Sequence, residues 1–198
     1  MSRNIIVILG VVLLGLIVLG SGCGRYNAFI ELDENVEQAW SNVQTQYQRR
    51  TDLIGNLVKT VQGAADFERS TLDQVVEARA RATQIQINAD DLTPEKLQEF
   101  QEAQSQLNGA LGRLLAVSEN YPQLQATQGF RDLQAQIEGT ENRVAVARDR
   151  YNEAVTEYNK AVRRFPGTLY ASIFGFDRKA QFEAEASAQD APDVEFDF

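Results

Sequence analysis

The feature that most constrains the fold is a row of apolar side chains spaced three or four residues apart. The row consists of Phe29, Leu32, Val36, Trp40, Val43, Tyr47, Ile54, Leu57 and Val61. Because an α-helix turns once every 3.6 residues, this spacing places the row on one helix face. The alternation of three- and four-residue steps is typical of helices that pack in bundles. The chain is therefore predicted to be all-α.

One step in this row spans seven residues, and Arg50 occupies the position that the step leaves out. The helical register places Arg50 partly inside the bundle, where a charged side chain needs a partner of opposite charge. We expect an ion pair with a glutamate of the third long helical segment. Arg49 lies off the row, so it is the better candidate for contacting another molecule.

The row keeps its helical phase beyond Val61, through Leu72 and Val75. Two interpretations follow: one helix over about residues 28–88, bent near a glycine, or a break near 62–66. Gly55 and Gly63 are the weak points, since a glycine costs about 1 kcal/mol relative to alanine inside a helix. A tight turn normally shifts the helical phase, so the pattern favours the single bent helix.

Two further helical segments follow a loop at residues 88–94. Thr93 and Pro94 fit the N-cap and the first position of a helix that ends before the NYP sequence at 120–122. Its apolar row is Leu97, Phe100, Leu107, Leu111, Leu114 and Leu115. The third row is Phe130, Leu133, Ile137, Val144, Ala147, Tyr151, Val155, Tyr158 and Val162. The FPG sequence at 165–167 ends this segment, and we expect a short amphipathic piece at 169–176 and a frayed helix over 177–188.

The N-terminal residues 1–25 are predicted to attach the chain to a membrane. Residues 4–24 carry no charge, and their apolar centre is at 5–19. One interpretation is an uncleaved transmembrane helix, since a span needs roughly 17–25 residues. The other is a lipoprotein signal, in which Cys23 after small residues is the lipidation site. Arg3 before the run and the acidic residues after it favour an extracytoplasmic body by the positive-inside rule.

Composition excludes most enzyme chemistry. The chain has no histidine, which removes the commonest general base and metal ligand, and Cys23 is its only cysteine. Glu68 and Glu141 both fall on inward positions, but carboxylate-bridged metal sites in bundles also need histidines. No glycine-rich phosphate loop is present. We therefore expect no catalytic residues, no metal and no cofactor, and a net charge of −9 argues against nucleic acid as a partner.

The C-terminal residues 183–198 carry acidic side chains and no basic ones. A segment of this kind buries too little apolar surface to order itself, so a solvated tail is expected. Its final DVEFDF sequence alternates acidic and apolar residues and ends at Phe198. The alternative is therefore that Phe198 and its neighbours add as a strand to a partner's sheet edge.

A set of short motifs, in order along the chain, resembles the LemA family. The motifs are YN at 26–27, EQAW at 37–40, QRRTDLI at 48–54, NLV at 56–58, EAR at 77–79, ENYPQL at 119–124, TENR at 140–143, AR at 147–148, YN at 151–152 and 158–159, FP at 165–166 and FGF at 174–176. The resemblance implies an up-and-down bundle of about four long helices over residues 26–182, behind an N-terminal membrane anchor. It implies no established enzymatic activity or ligand. The family usually has proline where this chain has Gly55, which agrees with a bend there.

The functional expectation is a membrane-tethered scaffold of the bacterial cell envelope that acts through contacts with other envelope proteins and has no catalytic activity. Its partners are the membrane and envelope proteins not identified by the sequence, with a homo-oligomer left open. The alternative is a ligand-binding or sensing bundle that recognises an anionic small molecule through Arg49 and Arg50 or through a cleft between helices. The usual family topology has a short extracellular N-terminus, opposite to the charge argument, so the orientation stays open.

Overall fold

The computed structural model describes the backbone of residues 3–63 and 67–183, and their side chains apart from those of 3–21, Cys23 and Asp90. It contains α1 (Arg3–Gln62), α2 (Arg69–Gln84), a 3-10 turn (Ala89–Asp91), α3 (Pro94–Ser118), α4 (Pro122–Gln125), α5 (Gln128–Arg163) and α6 (Gly167–Phe174). No strand occurs among these residues. The all-α prediction is therefore confirmed.

The helices α1, α2, α3 and α5 form an up-and-down bundle. The Arg79 side chain of α2 reaches the Thr51 carbonyl of α1, while Ile87, beyond the end of α2, accepts a hydrogen bond from Trp40, so α2 runs antiparallel to α1. Arg81 pairs with Gln106, and Arg113 pairs with Gln74, so α3 reverses direction again. The α5 helix lies antiparallel to α1. These directions confirm the predicted up-and-down topology.

The first two helices are separate, so the expectation of one bent helix over 28–88 is wrong and the break near 62–66 is right. The α1 helix ends at Gln62 and α2 begins at Arg69. The apolar phase survives because Val61 and Leu72 are eleven residues apart, and eleven residues are close to three helical turns. The connection between the helices thus preserves the register by its length alone. Glu68, which the register placed inward, is exposed at the start of α2.

The α3 helix begins and ends, and the α5 helix ends, where their sequence signals predict. The Thr93 hydroxyl accepts a hydrogen bond from the Lys96 amide at 3.3 Å, and Pro94 occupies the first turn. The backbone N–H groups of a first helical turn have no partner inside the helix, so this cap satisfies one of them. The α3 helix ends at Ser118, before Pro122, and α5 ends at Arg163, before Pro166.

Two clusters of buried apolar side chains fill the bundle. The aromatic core contains Phe29, Val36, Trp40, Val43, Tyr47, Ile87, Leu92, Leu97, Phe100, Val144, Ala147, Tyr151, Val155, Tyr158, Val162, Ala171 and Phe182. The aliphatic core contains Ile54, Leu57, Val58, Val61, Leu72, Val75, Ala82, Leu107, Ala110, Leu111, Leu114, Leu124, Phe130 and Ile137. Nearly all members of the three predicted apolar rows are buried in one of the two cores.

Residues 176–183 form an extended segment, which we name the C-terminal strap. Gly175 ends α6 in the left-handed conformation with φ of 78°, and the Ala171 carbonyl accepts bonds from the Gly175 and Phe176 amides. The strap then follows α5 back along the bundle. The expectation of a frayed helix is wrong for 177–183, because side chains of α5 replace the helical hydrogen bonds there. The rest of that prediction, and the acidic tail beyond Glu183, lie outside the described residues.

The membrane anchor predicted over residues 1–25 stays a prediction. The α1 helix begins at Arg3 and continues without interruption into the bundle. The apolar run at 5–19 belongs to the stretch whose side chains are not described. Among the residues that are described, no helix combines the length and the apolar character that crossing a bilayer requires.

Candidate functional site around the buried polar layer

A layer of polar side chains separates the aromatic core from the aliphatic core. Each apolar row has a seven-residue step, and the structure brings the three steps together: Arg50 from α1, Gln104 from α3, and Thr140 with Glu141 from α5. Arg50, Gln104 and Thr140 are buried. The predicted position of Arg50 inside the bundle is therefore confirmed. Gln104 was missed, although the step from Phe100 to Leu107 in the second row was the signal that marks it.

Arg50 is held by its neighbours on α3 and α5. Its Nη1 donates to Glu141 Oε1 at 2.9 Å and to Glu141 Oε2 at 3.0 Å, and its Nη2 donates to Gln104 Oε1 at 2.7 Å. The guanidinium carbon lies 5.0 Å from the centre of the Tyr47 ring, a cation–π distance. The predicted ion pair with a glutamate of the third long segment is confirmed.

The two ends of this ion pair differ in their access to water. The Arg50 side chain is 1% exposed, whereas the Glu141 side chain is 41% exposed. Removing one partner of a buried pair leaves the other charge without compensation, which costs more than the pair contributes when it is intact. Arg50 is therefore committed to Glu141. It does not supply a free positive charge to a ligand.

A first groove lies between α1 and α2, beside Arg49. It has a volume of about 590 Å³, and Tyr47 and Phe100 contribute aromatic surface to its lining. Its polar residues are Ser41, Gln44, Thr45, Gln48, Arg49, Thr51, Asp52, Asn56, Thr83, Gln86 and Gln104. Asp52 accepts a hydrogen bond from Gln48 and lies 3.9 Å from Arg79. Arg49 is exposed and is the one basic residue among those that line the groove.

A second groove lies between α1 and α5 and has a volume of about 620 Å³. Its lining is Asn35, Gln38, Ala39, Asn42, Gln46, Asn142, Arg143, Val146, Ala147, Arg150 and Ala154. The only charged side chains in this set are Arg143 and Arg150, on a chain whose net charge is −9. Val146 is 49% exposed at the same place. The groove therefore offers amide groups, positive charge and one apolar contact to another molecule.

The C-terminal strap is held by two asparagines of α5. Asn152 accepts a hydrogen bond from the Phe182 amide at 2.9 Å and donates to the Phe182 carbonyl at 3.1 Å. Asn159 makes the same pair of bonds with Lys179, at 3.0 and 2.9 Å. Each asparagine carboxamide thus makes the two backbone hydrogen bonds that a neighbouring β-strand would otherwise make with an extended segment. The two YN motifs at 151–152 and 158–159 are the sequence signal for this arrangement, which the spacing of apolar residues does not reveal.

Aromatic side chains complete the attachment of the strap. The Phe182 ring is 5.3 Å from Tyr151 and 6.1 Å from Trp40, and the Arg148 guanidinium is 4.7 Å from its centre. The Tyr151 hydroxyl donates to the Ala180 carbonyl at 2.8 Å. Burial raises the pKa of Tyr151 well above its ordinary value of 10.0. Burial, with the carboxylates of Asp33 and Asp177, raises the pKa of Tyr158 to about 12.

The other residues that the sequence singled out are Arg49, Cys23, Phe198 and Glu68. Arg49 is exposed at the first groove, and its role in an interaction stays a prediction. The Cys23 side chain and Phe198 lie outside the described residues. The inward position expected for Glu68 is wrong, because Glu68 is exposed and accepts a bond from Ser70. Among the side chains that the structure describes, no group of three His, Cys, Asp or Glu residues is arranged to hold a metal ion.

Comparison with known proteins finds one family and several named relatives. The model of the LemA family matches residues 39–196. A magnetosome protein MamQ from Magnetospirillum gryphiswaldense is 30% identical over 185 residues, which cover 85% of this chain and 68% of the relative. Magnetosome protein MamQ 2 from Paramagnetospirillum magneticum is 28% identical over 187 residues, covering 85% and 68%. Protein LemA from Metamycoplasma hominis is 24% identical over 161 residues, covering 81% and 70%. The chain belongs to the LemA family.

Proposed function

We propose that this chain is a membrane-tethered, non-catalytic helical scaffold of the bacterial cell envelope that acts through protein–protein contacts. The observation that carries the proposal is the continuity of α1. This single helix of 60 residues contains the apolar run at 5–19 and the first apolar row of the bundle. At 1.5 Å per residue it is about 90 Å long. A bundle built on such a helix is held at a fixed distance and orientation from the membrane.

The second groove is the surface through which we expect the scaffold to contact a partner. Arg143 and Arg150 give it a positive charge, and Asn35, Gln38 and Asn42 add amide groups on the facing helix. Charged groups of this kind mainly determine which partner binds and how fast it associates. The arrangement favours a partner helix or segment that presents carboxylates around one apolar side chain placed against Val146.

The matched relatives also support a role that is not catalytic. Three of them are named as magnetosome proteins and one as protein LemA, and none of these names describes a reaction. The polar layer supports the same proposal, because Arg50, its most buried charged group, is neutralised by Glu141 and is not available to a substrate.

Site-specific photo-crosslinking in cells tests the contact surface. A photoreactive amino acid replaces Val146 in the second groove, or Val76 on α2 as the matched control, since the two valines are 49% and 47% exposed. We expect position 146 to give a discrete cross-linked envelope protein that position 76 does not give. The change Arg143→Glu with Arg150→Glu should abolish this product. Equal products at both positions, or products that survive the charge reversal, would contradict the proposal.

The first groove supports a second candidate function, binding of a small anion at Arg49. Arg49 is exposed, and the lining supplies amide and hydroxyl groups next to an aromatic surface. Thermal-shift titration with citrate and with inorganic phosphate tests this candidate. We expect a rise in the melting temperature that Arg49→Ala removes and Arg143→Ala does not. If neither anion shifts the wild-type chain, or if both variants lose the shift, this candidate is removed.

A further inference from the structure

A cluster of exposed apolar side chains lies at the end of the bundle nearest the apolar run at residues 5–19 of α1. Six of the eight large apolar side chains that are exposed within the described residues lie there: Tyr26, Ile30, Phe165, Leu169, Ile173 and Phe174. Phe165 is 81% exposed and Ile173 is 73% exposed. Leu169 and Ile173 are four residues apart on α6, so they share one face of that helix.

The α6 helix lies directly against the part of α1 that follows the apolar run. A side chain added at Gly22 would come within 3.3 Å of the Tyr170 ring, which shows how closely the two helices approach. The Tyr26 ring is 5.1 Å from Phe174 and 5.8 Å from Phe176. These contacts fix the position of α6 against the part of α1 that directly follows residues 5–19.

The distance along α1 places α6 at the level of lipid headgroups if the apolar run is in the hydrocarbon core. Gly22 is three residues beyond the end of the run, or about 5 Å along the helix axis. Each headgroup region of a bilayer is about 5–8 Å thick, from the difference between the whole bilayer and its core. The apolar face of α6 therefore lies where tyrosine and other aromatic residues are enriched in membrane proteins.

The local charge is opposite to that of the whole chain. Arg25, Lys160, Arg163, Arg164 and Arg178 are exposed at this end. From Tyr158 to Arg178 the sequence has four basic residues and one acidic residue, Asp177, although the net charge of the chain is −9. On α1, Glu31 and Glu34 lie farther from the apolar run than Arg25 does. Basic side chains next to an apolar patch are typical of surfaces that bind anionic lipid.

We infer that the exposed face of α6, with Leu169 and Ile173 and the preceding Phe165 as apolar contacts, is a second membrane-binding surface that inserts into the interface of an anionic lipid bilayer. The surrounding arginines bind the lipid phosphates, and the bundle is thereby fixed against the membrane at two points instead of one. This inference rests on the proposed tether, because the apolar run brings α6 to the bilayer. A contact between α6 and a membrane-embedded protein is the competing outcome.

Fluorescence of the full-length chain on vesicles tests the inference. An environment-sensitive nitrobenzoxadiazole label is attached at Ile173→Cys, or at Val76→Cys as the control, in both cases together with Cys23→Ser. The vesicles consist of phosphatidylcholine alone or with one quarter phosphatidylglycerol, and brominated acyl chains serve as quenchers. Flotation of the same samples and of the unlabelled wild-type chain, in which Cys23 is intact, measures attachment to the vesicles independently of the label.

The inference predicts that label 173 is blue-shifted and quenched by brominated lipid, while label 76 is not. The change Arg163→Glu with Arg164→Glu should reduce the quenching at 173, most strongly with phosphatidylglycerol. A chain that floats with an unquenched label at 173 would overturn the α6 surface and leave the tether intact. Quenching at 173 that the charge reversal leaves unchanged would overturn the role of the arginines. A wild-type chain, with Cys23 intact, that does not float would overturn both the tether and this inference.

Discussion

The two cores of the bundle are built from different chemistry, although the same helix, α1, contributes to both. The aromatic core, nearest the predicted anchor, contains Trp40, Phe100 and Tyr151 and is closed by the strap. The aliphatic core is filled mainly by leucine, isoleucine and valine from five helices, α1 to α5. The aromatic core also contains tertiary hydrogen bonds, such as that from Trp40 Nε1 to the Ile87 carbonyl at 2.9 Å.

This difference indicates how each half is specified. Aliphatic side chains pack without directional partners, so the aliphatic core tolerates changes that keep its volume. Rings with polar groups and a strap held by carboxamides require defined orientations. The aromatic half, which we propose lies against the membrane, should therefore be the more uniquely ordered half. The Arg50 layer between the cores fixes how α1, α3 and α5 align along their axes.

The largest loss of stability is expected from Trp40→Ala in the aromatic core. Leu57→Ala in the aliphatic core is the variant to compare with it. Truncating a buried tryptophan costs about 3–5 kcal/mol and truncating a buried leucine about 2–5 kcal/mol. Trp40→Ala also leaves the Ile87 carbonyl without its indole donor and removes a ring beside Phe182. We expect Trp40→Ala to speed hydrogen exchange in the strap and Leu57→Ala to leave it unchanged. Urea unfolding and hydrogen-exchange mass spectrometry measure these effects. Similar strap exchange in both variants would contradict the division into two cores.

The next largest effect is expected in the polar layer, where removing Glu141 should cost more stability than removing Arg50. Glu141→Ala leaves the buried Arg50 charge without its partner, and breaking a buried pair in this way costs about 3 kcal/mol. Arg50→Met should cost less, because the Glu141 carboxylate is 41% exposed and water can replace the guanidinium. Adding Arg50→Met to Glu141→Ala should recover part of the lost stability. Chemical denaturation of the two single variants and the double variant tests this order, and a larger loss from Arg50→Met would contradict the description of the layer.

A smaller and more local effect is expected from the strap asparagines. Asn152→Ala removes two hydrogen bonds to Phe182, and since each is worth about 1 kcal/mol we expect a loss of about 2 kcal/mol. The Phe182 amide should exchange faster, while the Lys179 amide, held by Asn159, should change little. Asn159→Ala should give the reverse pattern. Exposed Asn142→Ala is the control for the loss of an amide. Equal effects on both amides would show that the strap detaches as one unit.

The smallest effect is a dependence on alkaline pH. The pKa of Tyr158 is raised from 10.0 to about 12 in the folded chain. A raised folded-state pKa means that the unfolded chain loses this proton first as pH rises. The Tyr158 contribution to stability is therefore complete below pH 10 and is lost as pH rises through about 12. Thermal melting between these values should decline more in the wild-type chain than in Tyr158→Phe, and equal declines would contradict the assignment.

The buried faces of the helices were predictable from the sequence because burial repeats with the helical period. The rows containing Trp40, Leu107 and Tyr151 all point inward, and the interruption at Arg50 correctly indicated an ion pair with α5. The break between α1 and α2 was not predictable from the phase, since a connection that completes three turns leaves the phase unchanged. The spacing of apolar residues does not reveal a break between helices when the connection happens to preserve the helical phase.

The strap and the grooves also could not be predicted from the period of the apolar residues, but for a different reason. An extended segment held by Asn152 and Asn159 has no period of its own, and its partners are 20 to 30 residues away in sequence. Gln104 satisfies Arg50 from another helix, so its role depends on how α3 is aligned with α1. The grooves depend on distances between helices. These features follow from tertiary packing, which local patterns do not determine.

The most direct test of the central claim, that a membrane anchor continuous with α1 holds the bundle, is fractionation of the cell envelope followed by mass measurement of the recovered chain. The account predicts that the chain stays with membranes after alkaline carbonate washing. Its N-terminus should then be either intact, as a transmembrane anchor requires, or a lipid-modified Cys23. Recovery of the chain in the soluble fraction, cleaved after the apolar run and without lipid, would contradict the account.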